Sequence, residues 1–265
     1  MREGKFVAFL FLISSFVYCQ EKKIKYNDDG LTRLTFGIHK TFYNQATLHR
    51  ANEETGNIGG FNISNSSGFF INYKVLKYKN HSLKAGLFLN SLKHQIYFNG
   101  AITDVRTDQI RDVLTFPNSL KETSLEYCID YSYLFKLNKN WFLDLSVGIS
   151  QERNTTLSTY HSDYVFSDEN LVPYQTAVQS IYFYKRKFLR YNYAASIGYK
   201  TNAGLVNLGV KYSLPEAEVA YGQYEFFEPG VAESDQGFGV FNFSGKYMSF
   251  TLSFTPSKDI FKKKK

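Results

Sequence analysis

In eight separate stretches the sequence alternates, with a period of two, between large apolar side chains and small or polar ones. Only extended backbone sends successive side chains to opposite faces, so each stretch predicts a β-strand with one greasy face. The cleanest sets Leu143, Leu145, Val147 and Ile149 against Asp144, Ser146, Gly148 and Ser150. The other seven begin at Leu34, Phe69, Leu83, Leu125, Leu189, Val206 and Met248. Their connections alternate as well. Tyr78-Lys79-Asn80-His81, Asn138-Lys139-Asn140 and Thr201-Asn202-Ala203-Gly204 read as tight hairpin turns. The remaining connections are long and polar, at about 44–65, 95–120, 155–185 and 215–241. Strand, long loop, strand and short turn then repeat, which puts all long loops at one end and all short turns at the other.

The fold class that follows is all-β: an eight-stranded, antiparallel, up-and-down β-barrel spanning residues 31–255. Eight strands close into a barrel whose interior side chains just fill. A soluble barrel points its apolar face inward, whereas a membrane barrel points it into lipid. The polar face here is rich in Gly, Ser, Asn and Thr, which suit a crowded interior. It also carries both signs of charge, with Glu126, Asp130 and Asp144 against Lys74, Lys84, Arg190 and Lys211. Walled in together, such groups are expected to pair, because an unpaired buried charge is costly. Aromatic residues gather near strand ends, as in the girdles at membrane–water interfaces. Trp141, Tyr78, Tyr199, Tyr212 and Phe254 are assigned to the turn end, and Phe42, Tyr43, Phe69, Tyr97 and Phe243 to the loop end. The expected barrel is therefore transmembrane, with four long extracellular loops and short periplasmic turns.

The amino terminus agrees with export. Arg2 and Lys5 precede an apolar run from Phe6 to Val17, too short to cross a bilayer as a helix. Residues 1–19 read as a signal peptide, 20–30 as a periplasmic segment and 256–265 as a basic tail. Cleavage after Cys19 would leave Cys128 alone, with no disulfide and no metal or redox motif. The net charge of +7 is concentrated in the tail, which removes it as a nucleic-acid signal. A mean hydropathy of −0.31 does not argue against a membrane barrel, since only every second residue meets lipid.

Together, the export segment, the eight strands and the final Tyr247-Met-Ser-Phe-Thr-Leu-Ser-Phe254 resemble the small eight-stranded bacterial outer-membrane barrels of OmpA/OmpX-like architecture. The resemblance implies an outer-membrane location. It also implies the barrel-assembly machinery as a partner, because that class presents an alternating, aromatic-ended final strand to it. Here Pro256 to Lys265 follow that strand, whereas many such barrels end at the terminal Phe. No particular activity is implied, since fold does not fix function.

No hydrolase, phosphate-loop or metal motif is present, so neither catalytic residues nor a cofactor is expected. Glu126 and Asp130, four apart on one strand face, could line a cation path, but an eight-stranded interior favours a structural salt-bridge network. His161-Ser162-Asp163 holds the residue types of a hydrolase triad, yet sequence neighbours rarely meet in triad geometry. His39 is expected to point into the lumen. Aromatic loop segments, Asp163 to Phe166, Tyr182 to Tyr184 and Tyr221 to Phe227, suit either an extracellular ligand or packing over the barrel mouth. The expected function is thus a non-enzymatic envelope or surface role, with outer-membrane lipid around the barrel. The alternatives are a lipid-modifying enzyme, a narrow solute path and a soluble periplasmic binder.

Overall fold

The computed structural model describes residues 30–50, 58–104, 109–154, 159–167, 173–184, 187–227 and 237–261. The expected signal peptide lies outside the described residues. The strands are β1 (Leu34–Tyr43), β2 (Thr47–Arg50), β3 (Ile58–Tyr78), β4 (His81–Asp104), β5 (Gln109–Lys136), β6 (Trp141–Asn154) and β7 (Thr159–Ser167). They continue with β8 (Pro173–Phe183), β9 (Lys187–Lys200), β10 (Gly204–Pro215), β11 (Ala220–Phe227), β12 (Gly237–Phe243) and β13 (Tyr247–Pro256).

Eight of these strands form a closed antiparallel barrel in the order β1-β13-β10-β9-β6-β5-β4-β3. The first and last barrel strands close it, with Phe36 opposite Phe254 and Tyr43 opposite Tyr247. Closure leaves no edge strand with unpaired backbone groups. At the turn end, β3 and β4 join through Lys79-Asn80, where Lys79 takes φ 52°, a value uncommon for a residue with a side chain. The other short turns fall at 137–140 and 201–203.

The alternation emerges inverted relative to a soluble barrel. Leu208 is 60% exposed, Ile38 59% and Val147 51%, and Leu145 and Phe250 are exposed beside them. Glu126, Glu152 and Arg190, by contrast, are each 1% exposed and face the lumen. Two large apolar side chains also turn inward. Phe70 and Phe88 stack at 4.7 Å between ring centroids and pack with Cys128, filling the middle of the lumen. His39 sits edge-on to Phe88 and is buried, as its place on the inward face requires.

The expectation of four long loops needs correction. The segment read as a loop at 95–120 continues the β4–β5 ladder from Gln95↔Ser119 as far as Asp104↔Gln109, so this hairpin stands well above the barrel rim. The other three contribute a second, five-stranded antiparallel sheet in the order β2-β12-β11-β8-β7. Strands β11 and β12 pack against β3. Ile63 and Leu92, from the extended β3 and β4, share a core with Ile181, Phe183, Tyr224, Phe241 and Phe243 of this sheet. The physical reason is alternation within the loop segments themselves. Phe241 and Phe243 are fully buried while Val240, just before them, is exposed. A strand that buries one face against another sheet needs only that pattern and a partner edge.

Pairing runs past residue 255 through a bridge between Leu31 and Ser257, and Lys258–Phe261 forms a turn of 3-10 helix.

Candidate functional site

Two features stand out: the packed lumen and the sheet over its mouth. Inward positions of β4, β5, β6, β9, β10 and β13 converge on three ion pairs spaced along the barrel. Near the turn end, the Lys84 ammonium donates to Asp144 Oδ2 at 2.6 Å. Lys74 and Asp130 lie directly across the ladder from Lys84, on either side.

In the middle, Glu126 Oε1 accepts from Lys211 Nζ at 2.6 Å and from Ser150 Oγ at 2.5 Å, and Oε2 accepts from Tyr247 Oη at 2.7 Å. Three donors on one carboxylate keep it satisfied away from bulk water. Lys211 Nζ also lies 4.1 Å from the centroid of the Phe88 ring. Towards the mouth, Arg190 Nε donates to Glu152 Oε2 at 2.6 Å, and Ser124 Oγ donates to Oε1 at 2.7 Å. Arg190 Nη1 donates to the Gly245 carbonyl at 2.7 Å. Gly245 holds φ 69°, and a Cβ there would run into Val219, so this bend needs glycine. The Tyr247 ring lies 4.8 Å from the guanidinium and 5.7 Å from Lys211, between the two upper ion pairs.

The structure therefore brings Glu126 to Lys211 and Lys84 to Asp144. Arg190 takes Glu152, a residue absent from the sequence-derived set. Glu152 was legible, because the inward face Asp144, Ser146, Gly148, Ser150 continues to it in one more step. A further buried pair sits above the lumen, where His94 Nε2 meets Glu122 Oε2 at 2.8 Å. It lies on β4 and β5 just below the segment that was read as a loop, and His94 packs edge-on against Phe183.

Of the assigned turn-end aromatics, Trp141 and Tyr199 sit across the ladder with rings 5.0 Å apart, both exposed. Tyr78 is exposed beside its turn, and Phe254 pairs with Val206 near the start of β10. Tyr212 must be moved. It lies eight residues beyond Gly204 and pairs with Met248 at the start of β13, so it belongs to the loop end. Two loop-end assignments also change. Tyr43 turns to Tyr247, with rings 5.3 Å apart, and Phe243 is buried in the upper core, so neither meets lipid.

The sheet over the mouth is aromatic on both faces. One buries Phe183, Tyr224, Phe241 and Phe243. The other stacks Tyr182 on Tyr221 at 5.1 Å, with exposed Tyr184 5.0 Å from Tyr221.

The His161-Ser162-Asp163 run does not assemble a triad from its own neighbours. His161 Nδ1 instead meets Ser180 Oγ at 2.7 Å, across the β7–β8 ladder; the side chain of Asp163 lies outside the described residues. Ser180 sits on an interior strand, paired with His161 on one side and Gln223 on the other. Its backbone neighbourhood is consumed by the two ladders, leaving no pair of N–H groups to hold an oxyanion. A fluorophosphonate probe is expected to leave Ser180 unmodified. Labelling abolished by Ser180→Ala would restore the hydrolase reading. On the outer wall, a groove of about 560 Å³ is lined by Tyr131, Tyr133, Leu145, Tyr193, Ala195 and Tyr212, among others. No histidine or carboxylate lines it. No group of His, Cys, Asp or Glu among the described residues could hold a metal ion.

No family model matches the chain, and no curated protein matches its sequence. Among solved structures it is similar to the outer membrane protein OprG from Pseudomonas aeruginosa, at 8% identity and TM-score 0.41, covering 85% of this chain and 96% of that one. It is also similar to the outer membrane protease OmpT from Escherichia coli, at 10% identity and TM-score 0.33, covering 88% and 99%. The β domain of the Bordetella autotransporter BrkA matches at 10% identity and TM-score 0.26, covering 86% and 100%. Likeness at that level goes no further than overall architecture. The closed ladder and the outward apolar face are this chain's own, and they make it a closed eight-stranded antiparallel barrel with a polar interior.

Proposed function

We propose that the chain is a non-conducting, non-enzymatic protein of the bacterial outer membrane that works through the β-sheet head above its barrel. The observation that carries this reading is the inversion of the barrel wall. Leu208, Ile38 and Val147 stand outward while Glu126, Glu152 and Arg190 are sealed inside. In water such a wall would expose a continuous apolar belt, a liability for any soluble protein. In hydrocarbon the belt is solvated and the charges are paired. The head supports the second half of the reading. It places a stacked tyrosine surface, Tyr182, Tyr184 and Tyr221, on a folded sheet rather than on loose loops. Rigid aromatics suit partner contact at small entropic cost.

Two measurements test it. After expression in a Gram-negative host, the protein should fractionate with the outer membrane. Unheated, it should migrate as a compact band distinct from the boiled form. Recovery in the soluble fraction would reject the membrane assignment. In planar bilayers the folded protein should give no stepwise conductance, because the Phe70–Phe88 stack and the Lys211–Glu126 pair occupy the lumen. Regular single-channel steps would replace this reading with the narrow solute path.

A further inference from the structure

Four consecutive barrel strands carry a cation on the outward face just above the apolar belt: Lys93 on β4, Lys121 on β5, Arg153 on β6 and Lys187 on β9, all exposed. The ladder sets them in two directly opposed pairs, Lys93 across from Lys121 and Arg153 across from Lys187. Like charges facing one another on an antiparallel pair repel. Among the described residues none of the four forms an ion pair. The nearby carboxylates of Glu122 and Glu152 turn inward and are engaged by His94 and Arg190.

Beneath each cation the same face becomes apolar, on β4, β5 and β6 after a single polar step and on β9 at once. Ser91 leads down from Lys93 to Leu89, and Thr123 from Lys121 to Leu125. Gln151 leads from Arg153 to Ile149, while Leu189 lies next below Lys187. Past β9 the rim changes sign, with exposed Glu216 and Glu218 in the β10–β11 connection. The cations are thus an arc confined to one side of the barrel in two steps, with Arg153 across the ladder from Leu125 at the upper edge of the apolar belt and Lys121 four residues above that leucine.

We propose that this arc binds the phosphate-bearing headgroups of anionic lipids in the leaflet at the loop end, with their acyl chains lying on the apolar belt below. The inference rests on the membrane reading above. Two facts favour lipid as the occupant. The patch is continuous with the lipid-facing wall, and four uncompensated positive charges complement phosphate. Long Lys and Arg stems can lie along the belt and lift their charges to the interface. An anion there removes the repulsion that the ladder otherwise imposes.

The test uses the full chain folded into phosphatidylcholine bicelles, with or without about 20 mol % phosphatidylglycerol. The readout is the temperature at which the compact gel band is lost. Phosphatidylglycerol should raise that temperature by roughly 5 °C or more at low salt, and about 0.5 M NaCl should remove the gain by screening. The variant Lys93→Gln/Lys121→Gln/Arg153→Gln/Lys187→Gln should lose most of the gain. In phosphatidylcholine alone it should melt no lower than the parent, since its like-charge pairs are gone. The control Lys136→Gln/Lys139→Gln, exposed at the turn end, should keep the gain. A quadruple variant that keeps it, or a control that loses as much, would overturn the proposal. Equal stabilisation by inorganic phosphate without phosphatidylglycerol would make the arc a free-anion site and overturn the lipid assignment. Failure to insert into pure phosphatidylcholine would instead count against the membrane reading itself.

Discussion

Replacing Glu126 by Ala is expected to destabilise the folded barrel by about 3–5 kcal/mol, the range for removing one partner of a buried ion pair. The change strands Lys211, whose side chain is only 7% exposed and whose ammonium is fixed over the Phe88 ring. It also removes the acceptor for Tyr247 Oη and for Ser150 Oγ. A carboxylate with three donors cannot be deleted without leaving polar groups behind, and each one left unsatisfied carries its own desolvation penalty. Adding Lys211→Met to Glu126→Ala should recover most of the loss, because an apolar chain of similar length satisfies the lumen without a charge. The cycle can be read by urea titration in lipid vesicles, following Trp141, the single tryptophan. A loss below about 1 kcal/mol for Glu126→Ala would show that water reaches Lys211 and that the lumen is open. A double variant no better than the single one would mean that the damage comes from packing instead of charge.

That network was partly legible in the sequence, and the reasons are local. Alternation assigns a face, so it could place Glu126, Asp144, Lys84 and Lys211 together on the inside. It does not assign height, because register depends on which residues the neighbouring strand offers. Height is what pairs Arg190 with Glu152 and sets Lys74 beside Lys84. Tyr212 went to the wrong rim for the same reason. Phe70 and Phe88 were hidden because each sits between apolar neighbours, so the period of two is masked where the inward residue is itself large. The head was illegible at a higher level. Its strands come from segments far apart in sequence, with β12 pairing β2 across most of the chain. A local pattern such as Phe241-Asn242-Phe243 can signal a strand but cannot name its partner. The barrel escaped that limit because nearly every strand pairs with its sequence neighbour within the ladder.

Leu208→Arg should cost about 2–4 kcal/mol when folding is measured in vesicles, because the guanidinium would enter hydrocarbon near mid-membrane. Among the described residues Leu208 is the most exposed of the large apolar side chains, and it faces Leu252 and Ile197 on the two adjacent strands, both exposed. In water, an exposed leucine on a strand can become arginine within about ±0.5 kcal/mol. The size of the effect therefore reports which solvent surrounds the wall, independently of any partner or activity. The same substitution at Gln151 provides the depth control. Gln151 is exposed on the same outward surface but beyond the belt, beside Arg153 and across from Leu189. There the cost should fall to about 0–1 kcal/mol, since a charge near the interface keeps its hydration. A large cost at Leu208 with little at Gln151 is the signature of a hydrocarbon slab around the middle of the barrel. Equal, small costs at both positions would mean that water bathes the apolar belt, and the outward row of Leu208, Leu252 and Ile197 would then have to be covered by protein.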